Sequence, residues 1–110
     1  MKNDEIGMVL RNGKTVKARA FSLSFLKAKI GEKVIQNKPS YLAGKKVFKT
    51  AVIRNKVKRK IKAAFQPFAK KLQKSHMLAF NINKEAAAAT VLELAEEVKN
   101  VLRKSGIIND

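Results

Sequence analysis

Residues 45–65 place the strongest constraint on the fold, because they combine dense positive charge with a regular apolar pattern. From about Thr50, apolar side chains recur with the spacing of one face of an α-helix. These side chains are Val57, Ile61, Ala64, Phe65 and Phe68. The same helix would carry Arg54 at the edge of the stripe, Asn55, Lys58, Arg59 and Lys62 on a second face, and Lys56 and Lys60 at the back. We therefore expect a helix that buries one narrow stripe and keeps its other faces charged.

The charge of this region is not balanced by acid. Fifteen Lys and Arg residues, and no carboxylate, lie between Glu32 and Glu85, and the whole chain carries a formal net charge of +17. A cationic surface of this kind repels itself unless it is well solvated or faces a polyanion. Solvation would explain a short lysine run, but this large, one-sided excess favours nucleic acid, with an anionic membrane surface as the second alternative.

Length and composition exclude several other classes. With 110 residues and 45% apolar content, the chain is expected to form one domain, 1–110, with a small core. It has no cysteine and one histidine, so disulfides, thiolate metal sites and His-based metal centres are excluded. No apolar run reaches membrane-spanning length, and residues 1–11 lack the apolar segment of a signal peptide, which makes a cytoplasmic location the expectation.

The first third of the chain predicts a helix followed by a strand. Polar residues from Asn3 favour a helix start, and Gly13 is expected to end the helix in the left-handed conformation. Alternation from Thr15 to Lys29 predicts one strand. Phe21, Leu23 and Phe25 would lie on its packed face, and Ala20, Ser22 and Ser24 on the other.

The remaining elements follow from shorter signals. Residues 29–39 read as a loop, residues 40–48 give only a weak strand signal of their own, and Pro67 should end or kink the basic helix. Residues 76–80 form an apolar run suited to a central strand. A last helix should follow the alanine-rich residues 85–89, beginning at a capping box of Thr90 and Glu93 and closing at Gly106. Three or four strands with helices on one face give a small α+β sandwich, in the order α-β-β-(β)-α-β-α.

No catalytic constellation is evident in the sequence. His76 opens an apolar strand and has no Ser or Cys nucleophile in a recognisable arrangement, so a structural or exposed histidine is the better interpretation. The acidic residues read as helix-start charge or as a solvated helix face. Phosphate-binding loops, dinucleotide fingerprints and zinc spacings are absent from the sequence. We infer that the polypeptide does not itself catalyse a reaction.

Arg54 and Asn55 form the most specific motif. An arginine fork suits phosphate, and an adjacent asparagine can contact sugar, base or backbone, although Asn55 could equally cap the helix. The run Arg54-Asn55-Lys56-Val57-Lys58-Arg59-Lys60-Ile61-Lys62-Ala63-Ala64-Phe65, preceded by Lys45-Lys46-Val47 and Ala51-Val52, resembles the bacterial ribonuclease P protein subunit. That family joins a Ser-Lys-Lys strand end to an Arg-Asn-Arg helix. The resemblance extends back through Asn3-Asp4-Glu5-Ile6, Val9-Leu10, Gly13, Thr15-Val16, Arg19 and Phe21.

The resemblance implies a fold and a function. The fold would join two parallel strands through the basic helix by a left-handed βαβ crossover. The chain would be the accessory, non-catalytic subunit of an endoribonuclease whose RNA, with Mg²⁺ held by RNA and substrate, cuts precursor tRNA at its mature 5′ end. Its partners would be ribonuclease P RNA and precursor tRNA, with no membrane and no obligate protein partner. The residues that would bind RNA are Lys45, Lys46, Lys49, Arg54, Asn55, Lys56, Lys58, Arg59 and Lys62.

A second predicted site is the cleft for the single-stranded 5′ leader of precursor tRNA. The resemblance places it around Ile6, Leu10, Arg19, Ser22 and Ser24. Relatives tend to carry aromatic residues at Ile6, Leu10 and Ser24, on which bases can stack. Arg19 alone could also serve to cap a sheet edge. The chain further departs from the family at Lys56, usually arginine, and at Ile82, where relatives tend to carry arginine.

Two other function classes remain open at this point. A ribosome-associated protein or general RNA chaperone would share the charge and the fold but would not stimulate tRNA processing. A peripheral membrane module would use a basic amphipathic helix whose bulky apolar residues insert into lipid. Val57, Ile61 and Phe65 are needed for the core, which argues against insertion.

Overall fold

The structure, a computed structural model, describes residues 3–27, 39–71 and 76–108, without the side chains of residues 3–5 and 27. The helices are α1 (Asn3–Asn12), α2 (Ala51–Phe65) and α3 (Val91–Lys104). The strands are β1 (Lys14–Lys17), β2 (Phe21–Lys27), β3 (Ser40–Leu42) and β4 (His76–Ile82). Two 3-10 segments, Gln66–Lys71 and Lys84–Ala87, complete the described elements. The loop predicted at residues 29–39 lies outside the described residues except for Pro39.

The strands form one sheet in the order β1-β2-β4-β3. β1 pairs antiparallel with β2, and β2 pairs antiparallel with β4. β3 and β4 run parallel, and α2 lies in the chain between them. The α+β class, the parallel pair and the basic connecting helix are therefore confirmed. The handedness of the crossover stays a prediction.

The single strand predicted from Thr15 to Lys29 is wrong, because residues 18–20 turn the chain into a β1–β2 hairpin. The backbone N–H of Ala18 donates to the Phe21 carbonyl at 2.8 Å. Ala20 donates its N–H to Glu97 Oε1 at 2.9 Å, and its carbonyl accepts from Asn83 N at 2.8 Å. The bonds to Asn83 and Glu97 fix this turn from distant parts of the chain.

The main core lies between one face of the sheet and helices α2 and α3. The apolar stripe of α2 is buried there, with Val57, Ile61, Ala64 and Phe65 each at most 2% exposed and Phe68 partly buried. Phe80 of β4 lies at the centre of an aromatic cluster. Its ring centroid is 5.3 Å from Phe21, 5.6 Å from Tyr41 and 5.7 Å from Phe65. The predicted stripe therefore seats the basic helix on the sheet.

The opposite face of the sheet is covered by α1. Val9 packs with Met77 and Ala79 of β4, and Leu26 and Leu42 pack against this second cluster. Residues 77 and 79 alternate with core residues 78 and 80, so they point to the other side of the strand. The expectation that the helices lie on one face is wrong for α1, whose apolar side needed a surface of its own to cover.

Gly13 has a different role from the predicted one. Among the described residues only Gly106 has positive φ, at 75°, so Gly13 does not take the left-handed conformation. A Cβ on Gly13 would instead lie 2.5 Å from the carbonyl oxygens of Phe25 and Val9. Glycine is required here because the backbone after α1 lies directly against β2.

The ends of α2 and α3 are set by local capping. Thr50 Oγ1 accepts the N–H of Ile53, so Thr50 and not Asn55 caps α2. α2 ends at Phe65, and the chain tightens into a 3-10 segment at Pro67, as expected of a residue without an N–H. The predicted capping box of Thr90 and Glu93 is confirmed. The N–H of Thr90 donates to the Glu93 carboxylate and lowers its pKa.

Tyr41 offers a direct test of the packing of β3. Burial raises the pKa of Tyr41 to about 12, and its ring stacks on Phe80 at an interplanar angle of 8°. Since an unfolded tyrosine titrates near pH ~10, this burial stabilises the fold below that pH, and the contribution is lost as pH rises toward the folded pKa. Tyr41 is the single tyrosine, and the chain has no tryptophan. We therefore expect a pH titration of the folded protein to show a single tyrosinate absorbance transition, with a midpoint well above that of the protein unfolded in guanidinium. Equal midpoints in the two titrations would contradict the packing.

Candidate nucleic-acid interface

The loop before α2 is held in a defined shape that exposes three lysines. The N–H groups of Val47 and Phe48 both donate to the Gly44 carbonyl, at 3.2 and 2.9 Å. The Phe48 side chain is 3% exposed and anchors the loop in the core. The exposed lysines are Lys45, Lys46 and Lys49. The strand predicted for residues 40–48 therefore ends at Leu42, and a turn presents these charges.

Arg54 links this loop to the first turn of α2. Its guanidinium Nη1 donates to the Phe48 carbonyl at 2.9 Å, and the side chain is partly buried. A guanidinium has five N–H donors, so this bond leaves most of the fork for a phosphate. Arg54 both fixes the loop and carries charge beside Lys49.

The remaining predicted residues lie along the outer side of α2. Asn55, Lys56, Arg59 and Lys62 are exposed, and Lys58 is partly buried. At about 100° per residue, Arg54, Lys58 and Lys62 form a ridge along one edge of the buried stripe, with Asn55 and Arg59 next to it on the solvent side. The structure thus brings the nine predicted RNA-binding residues together on one helix and the loop at its N-terminal end.

Lys60 differs from its neighbours, and its predicted place at the back of the helix is wrong. Its ammonium donates to three backbone carbonyls, those of Ala86 at 3.4 Å, Ala87 at 2.9 Å and Ala89 at 3.0 Å. These carbonyls lie in and just after the 3-10 segment Lys84–Ala87. Lys60 therefore lies on the edge of α2 that faces this segment, and it joins the two.

Lys60 and Lys62 should respond differently to replacement by methionine. Lys60→Met removes the donor shared by three carbonyls and should lower the free energy of unfolding by about 1–2 kcal/mol. We call the slope of the logarithm of the RNA association constant against the logarithm of the salt concentration the salt slope. Lys60→Met should leave the salt slope unchanged. Lys62→Met should change stability by less than about 0.5 kcal/mol but make the salt slope shallower by about 0.7–0.9. Urea unfolding and salt-dependent RNA titrations measure both; equal salt slopes in the two variants would contradict this division.

The cations of this surface have no carboxylate partners within the described part of the chain. The carboxylates whose side chains are described are Glu85, Glu93, Glu96 and Glu97, and all lie on α3 or the 3-10 segment before it. The ion pairs of α3 are to Arg19, whose guanidinium is 3.8 Å from both Glu93 and Glu97. The positive potential of α2 and its loop is therefore not neutralised by these carboxylates.

Four of the five predicted leader-cleft residues lie around the sheet face covered by α1. Ser22 and Ser24 alternate with core residues of β2, and Ile6 and Leu10 lie on the same side of α1 as Val9. Leu10 is 46% exposed. Ser24 is buried, and its hydroxyl is 3.0 Å from that of Thr15. Ser24 is thus occupied within the protein, whereas Leu10 is open to a ligand.

Arg19 is not brought to this face. It lies in the β1–β2 turn, and its guanidinium points toward the carboxylates of α3. Two residues that sequence reasoning missed lie there instead, Lys17 and Asn81, both exposed and both level with Ser22 in the strand register. Asn81 follows Met77 and Ala79 at a spacing of two, and this spacing could have placed it on the same face of β4 from the sequence. Lys17 could be placed only once the hairpin was known.

The described residues contain no group of three or more His, Cys, Asp or Glu side chains that could hold a metal ion. Within the same residues, no helix is both long and apolar enough to cross a bilayer.

Comparison with known proteins places this architecture in a family. Residues 1–106 match the sequence model of the family described as Ribonuclease P. The ribonuclease P protein component of Thermus brockianus is 34% identical over 108 residues, covering 98% of this chain but 60% of that relative. The chain thus spans about three fifths of the length of this curated relative.

Solved structures support the fold. The RNase P protein of Staphylococcus aureus superimposes with a TM-score of 0.79 at 23% identity, covering 99% of this chain and 95% of that one. The RNase P protein of Thermotoga maritima gives a TM-score of 0.75 at 18% identity, covering 91% and 90%. With its sequence matched over nearly its whole length and its fold shared with these proteins, the chain belongs to the ribonuclease P protein family.

Proposed function

We propose that this chain is the protein subunit of a ribonuclease P ribonucleoprotein and assists the endonucleolytic maturation of tRNA 5′ ends. The observation that carries the proposal is the surface formed by α2 and the preceding loop. Eight cations and Asn55 lie there without carboxylate partners in the described part of the chain, in a member of this family. A surface of this kind fits the phosphate backbone of a folded RNA.

The contribution of the protein would be electrostatic and geometric. Lysines 45, 46 and 49 and the cations of α2 would bind phosphates of the ribonuclease P RNA, and arginine forks such as Arg59 would hold phosphates through paired hydrogen bonds. The chemistry would belong to the RNA. Any Mg²⁺ would be held by RNA and substrate.

The face beside α1 would hold the single-stranded 5′ leader of precursor tRNA. Ile6, Leu10, Lys17, Ser22 and Asn81 are among the side chains there with exposed or partly exposed surface. With Ile6, Leu10 and Ser24 where relatives tend to carry aromatic rings, contacts to bases would depend on polar groups and two apolar side chains more than on stacking. The leader would therefore be bound weakly and with little base preference.

Reconstitution tests the proposal. The full chain is added to a bacterial ribonuclease P RNA and a precursor tRNA at a low Mg²⁺ concentration, at which the RNA alone is slow. We expect faster cleavage at the mature 5′ end, because the added cations screen repulsion between the two RNAs. A general RNA-binding protein would bind both RNAs without stimulating cleavage, and that result would contradict the proposal. A cytoplasmic location and the absence of an obligate protein partner are part of the same proposal.

A further inference from the structure

A small pocket lies at the end of the sheet where α1 leads into β1. Its volume is about 250 Å³, and it is lined by Asn12, Gly13, Lys14, Phe25, Leu26 and His76. Gly13 lines it where a Cβ would lie 2.5 Å from the Phe25 carbonyl oxygen. None of the nine predicted RNA-binding residues and none of the predicted leader-cleft residues lines it, so it is a separate feature of the surface.

Two aromatic rings form a corner in this pocket. Phe25 and His76 have ring centroids 6.2 Å apart and ring planes inclined at 66°, and both side chains are partly exposed. Phe25 packs against the core shared with α2 and α3, and His76 lies two residues before Leu78 of the same core. Both rings therefore belong to the sheet face opposite α1. A planar ligand could stack on one ring while it meets the edge of the other.

Polar groups stand beside this corner. Lys14 is the cross-strand partner of Phe25, so the two side chains are neighbours on one face of the sheet. Lys14 and Asn12 are both exposed, and the six lining residues that the structure describes include no acidic one. An ammonium group suits a phosphate, and a carboxamide can donate to and accept from the edge of a base.

We propose that this pocket binds one unpaired nucleotide of RNA, with the base in the corner of Phe25 and His76 and the phosphate beside Lys14. Its volume is below the roughly 300–1,000 Å³ of sites for drug-sized ligands, which favours a single base over a longer stretch. Aromatic stacking combined with a nearby cation is how proteins hold single-stranded bases. The choice of RNA as the source of the nucleotide rests on the proposed function. That the pocket suits a nucleotide follows from its lining residues alone.

Nuclear magnetic resonance of the labelled full-length chain tests this site without the ribonuclease P RNA. The probes are adenosine 5′-monophosphate, uridine 5′-monophosphate, adenosine and inorganic phosphate. We expect the mononucleotides to shift the ring resonances of Phe25 and His76. Lys14→Ala should weaken mononucleotide binding about tenfold, the equivalent of one hydrogen bond to a charged group. Lys84→Ala is the matched control, an exposed lysine of the 3-10 segment before α3 that does not line the pocket, and it should leave binding unchanged.

Three results would overturn the proposal. One is an effect of Lys84→Ala equal to that of Lys14→Ala, which would mean attraction by net charge alone. Another is shifts from inorganic phosphate that match those from the mononucleotides, which would remove any role for the base. The third is mononucleotide shifts confined to α2. Because the experiment uses the isolated chain, its failure leaves the reconstitution result standing, and a failed reconstitution leaves this measurement interpretable.

Discussion

Replacing Lys56, Arg59 and Lys62 together by alanine should weaken association with ribonuclease P RNA by on the order of 100-fold at 0.15 M salt. All three side chains are exposed on the outer side of α2, and none has a carboxylate partner among the described residues. If each binds one phosphate, the variant releases about three fewer counterions, and its salt slope becomes shallower by about 2–3. Titrations at several salt concentrations measure both quantities, and the loss in affinity should shrink as salt rises.

A second triple variant separates a local surface from total charge. Lys84, Arg103 and Lys104 are also exposed, but they lie on the 3-10 segment before α3 and in its last turn. Replacing these three by alanine removes the same net charge. We expect the control to keep most of the affinity and nearly the full salt slope. Equal losses in the two triple variants would show that RNA responds to overall charge and that α2 is not the interface.

The basic helix could be predicted because its determinants are local. The stripe from Val57 to Phe65 has to be buried wherever the helix packs, and a capping box at Thr90 needs only its own turn. The α+β class followed from the same signals. These features are determined by a few neighbouring residues in the sequence and do not depend on tertiary contacts with distant segments.

The β1–β2 turn could not be predicted for the opposite reason. The apolar positions change from even numbers at Val16 to odd numbers from Phe21, but no Gly, Pro, Asn or Asp marks a turn between them. The turn at Ala20 is held by Asn83 and Glu97, more than sixty residues further along. Arg19 is affected in the same way, since a position that reads as part of a strand becomes a turn residue paired with α3.

Lys60 shows the same limit within the candidate site. In the sequence it is one lysine among several on α2, and at about 100° per residue it lies on the edge of the stripe opposite Lys58, not at the back. Its ammonium binds three carbonyls only because residues 86–89 pack against α2 in the folded protein. Which cations of a basic helix stay open to RNA thus depends on tertiary neighbours that charge patterning does not contain.

Replacing Phe80 by alanine should lower the free energy of unfolding by about 3–5 kcal/mol. Phe80 is fully buried on the central strand β4, and its ring meets Phe21 of β2, Tyr41 of β3 and Phe65 of α2. Alanine would leave a cavity and remove three ring contacts, each worth about 0.5–1.5 kcal/mol beyond burial. Since a domain of this size has about 5–15 kcal/mol in total, the variant should lose about a fifth or more of its stability.

The consequence for RNA binding follows from the position of Phe65. Phe65 seats the last turn of α2 against Phe80, so loss of this contact loosens the helix that carries the predicted RNA-binding cations, although no charge is removed. Urea unfolding followed by circular dichroism measures the change. Phe68→Ala is the matched control, because Phe68 is only partly buried at the margin of the same core, and it should cost about 1 kcal/mol. Similar losses in the two variants would mean that Phe80 is not the residue on which the sheet and the basic helix jointly depend.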